Sequence, residues 1–195
     1  SAALTAVLSA AQKRGTGRTG IFGLRLQRGS FEFFTQQLRT LYPDPQSDAA
    51  RIAAAFGPVR YIHLTRPDKL AQAISRVKAE QTGLWHRAAD GSEMERLAPP
   101  QQPYYDAVAI ARHIAEMTAF DTQWRDWFRR DSIRPLQISY DALANNPGGV
   151  LAQVLEDLGL DASAAEGIAP PTAKLSDDVS KAWADRFRAE QDQEG

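Results

Sequence analysis

Arg66 and Ser75 are the two residues of this chain whose types and spacing best suit a shared chemistry, the capture of a phosphate. They lie in the run Tyr61-Ile62-His63-Leu64-Thr65-Arg66-Pro67-Asp68-Lys69-Leu70-Ala71-Gln72-Ala73-Ile74-Ser75, where an apolar strand meets a charged turn and then a helix. In open parallel sheets, ligands gather at the carboxyl ends of strands, where a following helix turns its free N–H groups outward. Pro67 removes one such donor and disfavours a helical conformation at the residue before it, which keeps Arg66 extended at the strand tip. Side chains must then supply the grip. A guanidinium gives paired, charge-assisted hydrogen bonds to an oxyanion, and a hydroxyl nearly two turns into the helix closes the clamp from the other side. From the residues alone, a surface arginine and a helix-face serine remain the alternative, because short motifs also match by chance.

Other candidate residues carry weaker chemistry. Trp85-His86, just past Gly83, offers an indole face and a polar tip suited to a sugar ring, or else a ring that plugs the end of a helix. Gly15-Thr16-Gly17-Arg18-Thr19-Gly20 is not a phosphate-cradling loop of the Walker kind. No Lys-Ser or Lys-Thr follows its last glycine, and Ile21 opens a run that reads as a strand, so the segment is a flexible turn. His63, His86 and His113 show no paired spacing and there is no cysteine, so no metal is expected. The acidic pairs Asp177-Asp178 and Glu93 with Glu95 read as solvated groups.

The elements that must position these residues alternate. Residues 2–13 form a helix that stops near Gly15; Ile21–Leu26 is a short buried strand; Ser30 caps a helix with Phe31, Phe34 and Leu38 on one face. Ser47 opens a short helix, Val59–Leu64 is a second strand, and the helix from Pro67 ends at Gly83. Residues 84–103, with Gly91, Pro99, Pro100 and Pro103, form a long irregular excursion. A helix from about Asp106 to Arg130 aligns Ile110, Ile114, Met117, Trp124 and Phe128 as a core stripe. Pro135–Tyr140 is a third strand, Asn146-Pro147 opens a helix that ends at Gly159, and a turn at Pro170-Pro171 leads to a last amphipathic helix with Trp183 and Phe187. Strands alternating with helices predict an α/β layered fold with a central parallel sheet, in a single domain over residues 1–195.

Composition narrows the partners. The 195 residues are 43% hydrophobic and 24% charged with a net charge of −1, enough for a core and without the basic excess that nucleic acid or an anionic membrane would ask for. There are no cysteines, which excludes disulfides and thiolate chemistry and fits a reducing compartment. No apolar run approaches the ~18 residues of a membrane-spanning helix. A cytoplasmic protein with a small-molecule or carbohydrate ligand is expected, and a homodimer is compatible with these features.

The sequence from Arg66 to Ser75, followed by Ala79, Gln81-Thr82-Gly83 and Trp85, resembles the strand-to-helix segment of bacterial sulfotransferases of the trehalose 2-sulfotransferase type. Further matches run in the same order, from Phe22-Gly23-Leu24-Arg25 through Tyr105-Asp106, Trp124 and Ile138-Ser139-Tyr140-Asp141 to Trp183 with Arg186-Phe187-Arg188. The resemblance implies a three-layer, P-loop-like sulfotransferase fold. It also implies transfer of a sulfuryl group from 3′-phosphoadenosine 5′-phosphosulfate to a hydroxyl of a carbohydrate or glycolipid, without a metal. Arg66 and Ser75 then bind the donor's 3′-phosphate, and Gln72, Trp85 and His86 face the acceptor. Members of that family open with a strand, an Arg-Ser-Gly-Ser or Arg-Ser-Gly-Thr loop and a helix that cradle the phosphosulfate; no such loop occurs in these residues, and the carboxylate base of that region is not carried over. The expectation is therefore an N-terminally incomplete domain. A nucleotide- or partner-binding module that kept only the phosphate clamp is the alternative, and a nucleotide kinase is disfavoured by the missing Walker lysine.

Overall fold

An alanine-rich segment becomes helix α1 (Ala2–Thr16), an amphipathic one becomes α2 (Arg28–Leu41) and a capped one becomes α3 (Asp48–Phe56) in the computed structural model, which describes residues 2–170, 172–173 and 177–194. Contacts divide the chain into two compact units, the first running to Tyr61 and including Thr122–Arg134, the second holding Ile62–Asp121 and the residues from Pro135 on.

In the first unit, α1 runs past the expected stop, because Gly15 is a packing residue: a Cβ there would sit 2.6 Å from the Phe22 ring. The run Ile21–Leu26 was expected to be a buried strand and is not one. It pairs with no strand among the described residues, Ile21 and Leu24 are exposed, and its apolar content goes into ring packing, with Phe22 stacked on Phe56 at 5.4 Å. Ser30 likewise does not cap α2. The helix starts three residues earlier, after Gln27, and the Ser30 hydroxyl donates to the Gln27 carbonyl at 3.1 Å. Ser47 does cap α3, accepting from the Ala50 N–H. Phe31, Trp127, Tyr61 and Trp124 form an aromatic core, with Trp127 edge-on to both Phe31 (4.7 Å) and Tyr61 (5.6 Å).

The second unit carries the sheet. Strands β1 (Ile62–Thr65) and β4 (Leu136–Ser139) run parallel with Ile62 opposite Leu136 and Thr65 opposite Ser139, a small parallel sheet flanked by helices, as the alternating pattern predicts. β1 is shorter than the expected Val59–Leu64, and Ile62 and Leu64 lie on an open face. Helix α4 (Lys69–Thr82) buries Ala73, Ile74 and Val77 against Ile110 of α5 (Ala107–Arg130) and against Trp183 and Phe187 of α8 (Asp178–Glu194), the core of this unit. Asp106 caps α5, accepting from the Ala109 N–H at 2.9 Å.

Residues 84–103 are less irregular than expected. β2 (Leu84–Ala88) and β3 (Glu93–Arg96) form an antiparallel hairpin turned at Asp90-Gly91, and β5 (Thr172–Ala173) adds to the other edge of β2. Gly83 makes the hairpin start possible: it is left-handed at φ 71°, and a Cβ would lie 2.6 Å from the Ala98 carbonyl oxygen. Of the expected Pro170-Pro171 turn, Pro171 lies outside the described residues. Tyr140, expected as the end of the third strand, instead opens the short helix α6 (Tyr140–Asn145), because Ser139 caps it through the Ala142 N–H. Asn146 then caps α7 (Pro147–Asp157) as predicted.

Helix α8 is clasped at both ends by carboxylates. The Tyr105 hydroxyl donates to Glu190 at 2.5 Å, and Lys78 pairs with Asp177 at 2.5 Å. Burial, with the bond to Glu190 adding, pushes the Tyr105 hydroxyl up to about 12. The bonds from Tyr105 and Arg186 hold Glu190 below the usual carboxylate range, and Asp177 is lowered because Lys78 and Ser180 outweigh the rise from burial. Depressed carboxylates contribute stability above their ordinary values of 4.5 and 3.8, and that contribution is lost as pH falls below them. Acid titration followed by circular dichroism should therefore show helix loss beginning below about pH 4, and Glu190→Gln with Asp177→Asn should flatten that part of the curve.

Candidate functional site

Arg66 leaves the tip of β1 half-buried, with its guanidinium carbon 4.4 Å from the centre of the Tyr140 ring. Tyr140 is in place because the Ser139 cap turns the chain into α6 immediately after β4. Arg66 has no carboxylate partner among the described residues, and its Nε is buried without an acceptor. A buried donor left unpaired costs about 1–3 kcal/mol. The cation is therefore held by a ring face and not neutralised, a state that an oxyanion would complete.

The start of α4 is capped from within. The helix begins at Lys69, two residues past the expected Pro67, and the Asp68 carboxylate accepts from the Ala71 N–H at 2.8 Å. The chain's own carboxylate thus takes up one of the free N–H groups of the first turn and sets a negative charge there, which leaves the grip on an anion chiefly to side chains. Ser75 sits half-buried on α4, and its hydroxyl makes no hydrogen bond among the described residues. Gln72, three residues earlier, is half-buried with its Oε1 receiving the Lys69 ammonium at 3.3 Å.

Trp85 and His86 lie on β2, not in a loop. Trp85 is half-buried and belongs to neither buried core. His86 is exposed, and its Nδ1 lies 2.5 Å from Glu95 on β3. With Nδ1–H donated to that carboxylate, Nε2 is the ring nitrogen left to meet a ligand. Neighbouring strand residues point to opposite faces, but the register shifts on both sides of His86, so the strict alternation does not hold at this place.

Residues 1–190 match the Stf0 sulphotransferase family, nearly the whole chain. The chain belongs to that family. It is 33% identical over 183 residues to the trehalose 2-sulfotransferase of Mycobacterium tuberculosis (strain Erdman), covering 91% of this chain and 65% of that protein. It is 31% identical over 185 residues to the trehalose 2-sulfotransferase of Mycolicibacterium smegmatis, covering 92% of this chain and 66% of that protein. The chain thus spans just under two thirds of the length of these relatives.

Within the family frame, the second unit holds all five residues singled out from sequence, Arg66, Gln72, Ser75, Trp85 and His86. The first three stand at the tip of β1 and along the first two turns of α4, the last two on the hairpin that follows the same helix. Sequence reasoning missed Lys69, Asp121, Glu95 and Tyr140. Lys69 stands three residues from both Arg66 and Gln72, a spacing that puts it beside each. Ser139-Tyr140-Asp141-Ala142 carries the cap signal that α6 requires. Asp121 and Glu95 left no local mark.

Proposed function

We propose that the whole protein is a sulfotransferase that moves a sulfuryl group from 3′-phosphoadenosine 5′-phosphosulfate to a hydroxyl of a carbohydrate, trehalose being the first acceptor to try. Family membership supports the reading, as do the two trehalose 2-sulfotransferases among its relatives. The single observation that carries it is Arg66, a cation stacked on Tyr140 with no acid partner among the described residues and a buried, unpaired Nε. Arg66 and Ser75 hold the 3′-phosphate of the donor from opposite sides. In the transfer, the bond from sulfur to the nucleotide's 5′-phosphate oxygen breaks as a bond to the acceptor oxygen forms; its electron pair leaves on the departing 3′,5′-bisphosphate, and the acceptor hydroxyl's proton is released to water. Positioned donors and an in-line nucleophile provide most of what such a displacement needs. Gln72, Trp85 and His86 face the acceptor: Trp85 stacks on a sugar ring, and His86, oriented by Glu95, meets a hydroxyl through Nε2. No helix among the described residues is long and apolar enough to cross a membrane, and the reaction is assigned to the cytoplasm.

The test is to incubate the whole protein with the phosphosulfate donor and trehalose, and to look by mass spectrometry for a sugar that has gained one sulfuryl group. Sulfated trehalose, or another sulfated sugar from a small panel, is the expected product. Nucleotide binding with no transfer to any sugar would favour the binding-module reading instead. In the same assay Trp85→Ala should raise the acceptor KM several-fold and leave donor affinity unchanged, since Trp85 is in neither core. A loss of donor affinity and melting temperature together would remove Trp85 from the acceptor site.

A further inference from the structure

Lys69, the first helical residue of α4, shares its ammonium three ways. Nζ donates to the Arg66 carbonyl at 2.7 Å and to Gln72 Oε1 at 3.3 Å, and it pairs with Asp121 of α5 at 2.6 Å. The two charged side chains are 17% and 30% exposed, so water and salt screen the pair less than they would on an open surface. Two of its N–H donors are hydrogen-bonded and its charge is paired with Asp121, so the ammonium is committed to groups of the protein. What it does is hold other groups.

Two of those groups belong to the site. Tying the Arg66 carbonyl to the first turn of α4 fixes the backbone from which the guanidinium departs. The second hold sets an orientation. Because an ammonium only donates, the Gln72 amide must turn its oxygen toward Lys69 and its NH₂ away from it. Gln72 is thus presented as a donor, three residues before the Ser75 hydroxyl on the same flank of the helix. Asp121 holds Lys69 in turn, although it has no hydrogen bond to Arg66, Gln72 or Ser75.

We infer that the Lys69–Asp121 ion pair is the positioning device of the nucleotide clamp, so that recognition of the 3′-phosphate depends on a carboxylate that does not touch it. The inference rests on the reading of Arg66 and Ser75 given above. It makes a prediction opposite in sign to simple charge attraction. Asp121→Asn removes a negative charge near the site, which through space would favour a more negative nucleotide; loss of positioning must weaken its binding.

The experiment measures, by calorimetric titration, the affinities of adenosine 3′,5′-bisphosphate and adenosine 5′-phosphate for the wild type, Lys69→Met, Asp121→Asn and Arg76→Ala, together with each melting temperature. Arg76 is the control. It lies on the same helix and ties Glu80 and Glu116 at 2.9 and 2.7 Å, with no bond to Arg66, Gln72 or Ser75. Lys69→Met and Asp121→Asn should each lose roughly tenfold of the preference for the 3′-phosphorylated nucleotide, while Arg76→Ala melts earlier and keeps it. Asp121→Asn is the closest in shape, and stands alone if Lys69→Met fails to fold. A wild-type preference retained or raised in Asp121→Asn overturns the inference, as does a loss shared equally by Arg76→Ala. A wild type with no preference overturns the assignment of Arg66 and Ser75 itself, and the inference with it.

Discussion

Arg66→Ala should abolish the preference for a 3′-phosphorylated nucleotide and leave the binding of adenosine 5′-phosphate close to the wild-type value. Hydrogen bonds to a charged group contribute about 1.5–3 kcal/mol, which corresponds to roughly a ten- to hundredfold weakening for the bisphosphate alone. The effect is expected to be this selective because Arg66 makes no ion pair among the described residues and its Nε is already without an acceptor, so its removal breaks no buried polar bond of its own. It gives up only its stacking on Tyr140, worth about 0.5–2 kcal/mol. Arg66→Lys should recover part of the affinity, since an ammonium keeps the charge and loses the paired geometry of the guanidinium. Calorimetric titration of the two nucleotides into each variant checks both statements.

Trp183→Ala should unfold much of what supports that clamp. The indole is 7% exposed, packs with Ile74 and Val77 of α4, and meets the Tyr105 ring edge-on at 6.0 Å. Truncating a buried tryptophan typically costs about 3–5 kcal/mol, a large share of the stability of a chain this size. Ala73 and Ile74 are the residues beside Ser75 on α4 and both are buried in this cluster, so the seat of the hydroxyl is lost with the core. Urea unfolding measures the loss, and nucleotide binding should disappear at the same denaturant concentration as the helix signal of the variant. Binding that survives the loss of α8 packing would separate the clamp from this core.

How much of this was legible in the sequence depended on whether the deciding physics was local. The step from β1 to α4 could be read because Pro67, the apolar run before it and Gly83 at the far end are signals carried by neighbouring residues. The core stripe of α5 and the pair Trp183 and Phe187 were legible for the same reason, as helical spacing. The run Ile21–Leu26 misled because six mostly apolar residues look alike whether they pair in a sheet or lean rings on a helix; only Phe56, distant in sequence, distinguishes the two. The hairpin of β2 and β3 was hidden by its composition. In Trp85-His86-Arg87 and Glu93-Met94-Glu95-Arg96 the side-chain link across the strands is His86 to Glu95, Arg87 stands opposite Glu93, and neither run shows apolar alternation. In the candidate site, Arg66 and Ser75 could be proposed from spacing. Tyr140 and Asp121 could not, because each reaches its partner, Arg66 or Lys69, across the tertiary fold.

The central claim is that Arg66 and Ser75 form a clamp for the 3′-phosphate of a sulfuryl donor. Its most direct test is the paired titration of the unaltered protein with adenosine 3′,5′-bisphosphate and adenosine 5′-phosphate in one buffer at one ionic strength. The account predicts that the bisphosphate binds at least roughly tenfold tighter, the smallest gain expected of a charge-assisted contact to one added phosphate. Equal affinities would contradict it.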